Sequence, residues 1–181
     1  MNEVLQRVSL NCLRGEAVPA DLSRLWEVQF AGNDIVPVGA EITLVDVLDP
    51  DFFEGYRAED GVPQSSVRSY QRMFKHILFF AKRGDGELLG YWLGEQHRAL
   101  RAAPIVELDN EGQFHLIGRT LAEALIMLAN DDEVDITVGW IEENELGVAA
   151  RTRAEIWDKL EGIEDPNDVS WRYQEEEDRR S

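Results

Sequence analysis

Three histidines, one cysteine and a large excess of carboxylates are the groups in this 181-residue chain that could do chemistry. Their spacing decides what they can do. His76, His97 and His115 fall in three separate segments, with no His-x-His, His-x-x-x-His or Cys-x-x-Cys pattern, so the three or four ligands of a zinc site are not assembled. His115 alternates with Phe114 and Leu116 on a predicted strand, which turns it to solvent or to a local hydrogen bond. Cys12 lies on the apolar stripe of a predicted helix with only Arg14 near it, and reads as a buried small hydrophobe rather than a nucleophile. A nucleophile elbow, a Walker loop and a dinucleotide fingerprint are absent. Gly84-Asp85-Gly86 stands between two predicted strands rather than ahead of a helix, so it is a hairpin turn and not a phosphate loop. No catalytic residue, metal or cofactor is expected.

The carboxylates say more. Asp and Glu number 36 against 18 Lys and Arg, a net charge of −18. Such a surface repels nucleic-acid phosphates and attracts basic partners. The charge is segregated: residues 131–181 hold 17 acids and 6 bases, a net of −11. Asp131, Asp132, Glu133 and Asp135 could face a hard cation, but the central glycine of an EF-hand loop is missing, and a solvated acidic loop is the default. Across 131–145, Glu142, Glu143 and Glu145 join these four without a single base, and Trp140 and Ile141 sit among them. An aromatic anchor ringed by charge is the usual anatomy of a strong contact. Asp131, Asp132, Glu133, Asp135, Trp140, Glu142, Glu143 and Glu145 are therefore the candidate partner-binding residues. The competing reading is a solvated loop whose apolar residues pack back on the sheet.

The elements that must position these groups follow from periodicity. Val4, Leu5, Val8, Cys12 and Leu13 recur at spacings of three to five ahead of Gly15, a first helix with its C-cap. Leu22, Leu25 and Trp26 after Pro19 predict a second, stopped at Ala31-Gly32-Asn33-Asp34. Residues 41–46 read as a strand, and 49–70 as mostly loop with a short helix over 50–56. Ile77–Ala81, Leu88–Leu93, Pro104–Leu108 and Gln113–Ile117 predict an antiparallel meander. Thr120-Leu121-Ala122-Glu123 is a capping box, opening a helix that buries Leu121, Ala124, Leu125 and Leu128 and ends at Asn130. Val134–Val138 alternates and predicts a further strand or extended cover; 148–160 predicts a helix with Ile156, Trp157 and Leu160 available to dock. Part of the acidic tail, carrying Trp171, is expected to fold back, and residues from about 174 are expected to be mobile. The fold class is α+β: N-terminal helices, a β-meander, a following helix and a partly helical acidic extension.

The composition step near residue 130 divides the chain into a domain of 1–130 and an extension of 131–181. No apolar run reaches the ~20 residues of a membrane helix, and the N-terminus lacks a basic region followed by an apolar one, so the expectation is a cytoplasmic protein.

Two stretches carry a family resemblance. One is Pro19-Ala20-Asp21-Leu22-x-x-Leu25-Trp26. The other runs from Ile77-Leu78-Phe79-Phe80-Ala81 through Gly84-Asp85-Gly86-Glu87-Leu88-Leu89-Gly90-Tyr91-Trp92 and Pro104-Ile105-Val106-Glu107-Leu108-Asp109-Asn110-Glu111-Gly112 to Thr120-Leu121-Ala122-Glu123-Ala124-Leu125. Together they resemble the SUKH superfamily of bacterial immunity proteins and yeast glucan-synthesis regulators, over residues 15–130. The resemblance implies a non-enzymatic binding fold: an immunity protein that occludes a basic toxin domain, often a nuclease, or alternatively a regulatory scaffold that binds a cellular protein. An enzyme of another type is the third reading.

Overall fold

The computed structural model describes residues 3–31, 42–45, 68, 71–84, 86–95, 98–147, 150–169 and 179, with the side chains of 30 and 31 set aside. The irregular spacing of the first apolar stripe has a direct structural consequence. Helix α1 (Glu3–Arg7) runs into a π-helical turn over Val8–Cys12, where the Leu13 amide reaches back five residues to the Val8 carbonyl at 2.9 Å. The wider turn puts Val8, Cys12 and Leu13 all in the core. Gly15, at φ 83°, closes the segment through its amide on the Ser9 carbonyl. Helix α2 (Ala20–Ala31) follows Pro19, with Asp21 in its first turn and Leu22, Leu25 and Val28 buried.

The sheet is a simple meander, every neighbour antiparallel, in the order β1 (Ile42–Leu44), β2 (Ile77–Arg83), β3 (Leu88–Trp92), β4 (Ile105–Leu108) and β5 (Phe114–Gly118). The continuous apolar run of β2 is covered on both faces, as such runs require. Leu78, Phe80, Leu89, Tyr91, Ile105 and Ile117 face the helices. Phe79, Leu88, Trp92, Val106, Leu108 and Phe114 face a second, smaller core with Met73 and Val169. A bulge between Phe79 and Ala81 breaks strict alternation, so Phe80 and Ala81 both join the helix-side core. Gly90 is required by this packing: a Cβ there would stand 2.7 Å from the Ile77 side chain and 3.0 Å from the Phe79 ring. The chain is thus α+β, as its patterning implies.

Helix α3 (Leu121–Leu128) crosses behind β5 and is buried at every residue from Leu121 to Ile126. Thr120 caps it by accepting from the Glu123 amide at 3.2 Å. The expected reciprocal bond goes one residue further back: Glu123 accepts from the Arg119 amide at 2.9 Å, because its other oxygen is held by Lys159 Nζ at 2.6 Å. The complete capping box is at Thr152 and Glu155, opening α5 (Arg153–Leu160).

The predicted strand at 134–138 is a helix. Val134, Thr137, Val138 and Ile141 form one stripe at helical spacing, and α4 (Val134–Glu143) turns that stripe onto α3, leaving Ile136 exposed. Val134, Ile136 and Val138 alternate within those five positions, and the helical period is settled only by Ile141 beyond them. Residues 131–169 contribute Ile141, Leu146, Ala150, Ile156 and Leu160 to the core that holds Leu22 and Phe80, so the step at residue 130 is one of surface charge across a continuous core. Past α5 the chain folds back. Trp92 Nε1 donates to the Glu164 carbonyl at 3.0 Å, and the Asn167 amide group accepts from Phe114 N at 3.0 Å and donates to Phe114 O at 2.6 Å. That pair copies a strand's backbone pairing and covers part of the free edge of β5. The expected 50–56 helix, Trp171 and the tail from 174 fall outside the described residues, Arg179 excepted.

Two glycines test this packing in opposite directions. A Cβ at Gly118 would lie 2.6 Å from the Ala124 backbone nitrogen, so Gly118→Ala should destabilise the protein by about 1–3 kcal/mol. Gly139, within α4, has nothing within 4 Å of its Cβ position, and Gly139→Ala should stabilise by about 0.5–1 kcal/mol. Urea midpoints of the two variants should shift to opposite sides of the parent.

Candidate functional site

The acidic stretch folds into a short 3-10 turn (Asp131–Glu133) and α4, and its carboxylates divide by what they meet. Asp131 is held by Arg153, Glu142 by Arg151, and Glu133 accepts from Asn130 Nδ2 at 2.8 Å. Asp132, Asp135, Glu143 and Glu145 stand at the surface. The linear window contains no base, yet the fold delivers Arg151 from just ahead of α5 and Arg153 from its first position, so part of its charge is neutralised within the molecule. Trp140 is not the exposed anchor that its neighbours suggest. It packs against the core, and Ile141 beside it is buried. Both sit on a helix packed against α3, where the competing reading had a loop lying on the sheet.

Among the described residues the exposed tryptophan is Trp157, 56% accessible on α5. It was expected to dock with Ile156 and Leu160. Those two are four residues apart and take the buried stripe, and Trp157 is turned about 100° from Ile156 to the outside. It lines a groove of about 600 Å³ between α5 and β5, with Phe114, His115 and Leu116 on the strand side. Asp158, Glu161 and Asp165 also line it. An exposed indole and three carboxylates in one groove are the chemistry that suits a lysine or arginine side chain, the ring attracting the cation and the carboxylates neutralising it. Sequence reasoning missed this site, although Trp157-Asp158 with Glu161 one turn on was a readable signal once Ile156 and Leu160 were assigned inward.

On the groove's strand wall His115 is half exposed, and its Nε2 lies 2.8 Å from Asp109 Oδ2. Asp109 also accepts from the amides of Glu111 (2.9 Å) and Gln113 (2.8 Å) across the β4–β5 turn. His76 Nδ1 lies 3.2 Å from the Gly94 carbonyl, with its ring edge-on to Trp92; His97 lies outside the described residues. Cys12 is buried and its thiol donates to the Val45 carbonyl at 2.9 Å. Among the described residues no group of three or more His, Cys, Asp or Glu is arranged to hold a metal, and no helix is long and apolar enough to cross a membrane.

No family model, curated protein or solved structure matches this chain.

The His115–Asp109 pair gives a pH prediction. Burial pushes the Asp109 carboxyl up, but the bonds from His115 and the Gln113 and Glu111 amides outweigh it, so the group ends below the ordinary 3.8. A lowered folded value contributes stability above the unfolded value, lost as pH falls through the folded one. His115→Ala should raise the Asp109 pKa towards 3.8 in a carboxyl NMR titration and move the acid loss of stability to higher pH.

Proposed function

We propose that this chain is a non-catalytic protein-binding module that takes a basic segment of its partner into the Trp157 groove, with the exposed carboxylates of α4 as a steering field. Trp157 carries the reading. A large aromatic left 56% accessible costs solubility unless something covers it, and the groove around it is lined by carboxylates on one side and apolar strand residues on the other. The net charge of −18 favours fast encounter with a basic surface, falling with salt. α5 joins the two patches: Arg153 at its start binds Asp131, and Trp157 follows one turn later. The resemblance to the SUKH superfamily supplies the kind of partner, a toxin domain such as a nuclease, whose positively charged substrate groove this acidic face would occlude.

The test is a pull-down from extracts of the source cell and of competitors carrying candidate toxins, then association kinetics with the protein retained. Trp157→Ala should weaken binding by at least tenfold, mostly through faster dissociation, at unchanged melting temperature. Lysine at Asp132, Asp135 and Glu143 should slow association and flatten its salt dependence. If the Trp157 variant binds like the parent while the triple-lysine variant fails, the contact lies on α4 alone and the groove is not the docking site.

A further inference from the structure

The groove beside Trp157 runs along the outer edge of the sheet. β5 is the last strand in the order, and Phe114, His115 and Leu116 line the groove. Ladder geometry fixes which way each backbone group points. Asp109 N donates to Gln113 O at 3.0 Å, and Glu107 faces His115 two residues on, so Gln113 and His115 turn their backbone groups towards β4. Phe114 and Leu116 alternate with them and turn theirs outward. Phe114 bears this out, since both its amide and its carbonyl meet Asn167 across the edge. Leu116 has no such substitute. Its amide and carbonyl take no hydrogen bond from outside the sheet among the described residues. The register shift comes only after it, where Ile105 faces Gly118, so the outward turn holds at Leu116. The edge is therefore closed by a side-chain mimic at one position and open at the next.

The facing wall is acidic. Asp158, Glu161 and Asp165 are exposed there beside Trp157. Asp165 accepts from the Asn167 amide at 2.8 Å, whereas the carboxylates of Asp158 and Glu161 meet no cation among the described residues. The sheet also sorts the side chains of anything paired to it. Ile117 lies in the helix-side core and Phe114 in the second core, so alternate residues of an added strand point to the α5 side and to the opposite face.

We propose that the partner's basic segment enters this groove as an extended strand, a sixth strand of the sheet that pairs with the Leu116 amide and carbonyl and turns alternate lysine or arginine side chains to Trp157, Asp158 and Glu161. It lies about 4.8 Å from β5, the spacing of paired strands. The proposal rests on the reading of the Trp157 groove as the docking site and adds the conformation that the site selects. Backbone pairing gives affinity for an extended chain, and the carboxylates select a basic one over an acidic one. A second copy of this chain is a poor occupant, because edge-to-edge pairing brings two sets of the same carboxylates together.

The experiment titrates the isotope-labelled protein by NMR with a blocked hexapeptide alternating lysine and valine, and with its glutamate–valine counterpart. The lysine peptide should bind saturably and slow exchange of the Leu116 amide proton at least tenfold, and the glutamate peptide should bind at least tenfold more weakly. Two N-methylated lysine peptides then separate strand pairing from charge. Methyl groups on the lysine nitrogens block one edge of the extended peptide, and methyl groups on the valine nitrogens block the other. At least one of the two should lose tenfold in affinity at unchanged charge. Equal binding by all three lysine peptides, with each weakened by Trp157→Ala, keeps the groove as the docking site and overturns the strand. Unchanged Leu116 exchange at saturation overturns it too, as does a glutamate peptide that binds as well as the lysine one. A lysine peptide that does not bind at all also overturns it, and the groove reading is then decided by Trp157→Ala against the retained partner protein.

Discussion

Strand β3 is buried at every residue from Leu88 to Trp92, and most of the architecture answers that one constraint. A central strand hidden on both faces cannot be served by helices on one side alone. α2, α3, α4 and α5 cover the face of Leu89 and Tyr91. The other face, with Phe79, Trp92 and Leu108, takes Met73 from the approach to β2 and Val169 from beyond α5. The indole of Trp92 needs an acceptor when buried, and the Glu164 carbonyl provides it. Residues near the C-terminus are therefore part of the fold's closure: their hydrogen bonds to Trp92 and Phe114 tie the chain back onto a sheet built before it in sequence.

How much of this the sequence disclosed depends on the range of the interaction involved. Hairpins, the two-sided burial of Ile77–Ala81 and the Thr120 cap are local, and their residues carry the signal within a few positions. The π turn was foreshadowed by the five-residue step from Val8 to Leu13, although spacing alone does not distinguish it from an imperfect α-helix. Val134–Val138 misled because Ile136 completes an alternation that the folded chain does not use; the deciding residue, Ile141, lay outside the window. The Asn167 bonds to Phe114 span 53 residues, and no local pattern announces them.

The candidate site shows the same division. Acidity was legible by counting, but neutralisation was not, since Arg151 and Arg153 reach Glu142 and Asp131 only through the placing of α5. Two tryptophans in the acidic region exchange roles for the same reason. Trp140 precedes buried Ile141 and leans on the core beside it, whereas Trp157 follows buried Ile156 and is carried outward. One residue's displacement around a helix, about 100°, separates a core residue from an exposed one.

Three side chains fasten the end of α5 to the start of α3. Arg119, just ahead of α3, donates to the carbonyl of Lys159, and Lys159 extends its ammonium to Glu123, 1% exposed on α3. Lys159 lies between Asp158 and Leu160, both of which line the groove. Glu123 cannot release Lys159 cheaply, because an unpaired buried carboxylate costs several kcal/mol. Lys159 is therefore held at two points, its ammonium by Glu123 and its carbonyl by Arg119, and the exposed Trp157 two residues earlier is carried on a helix end fixed to the core.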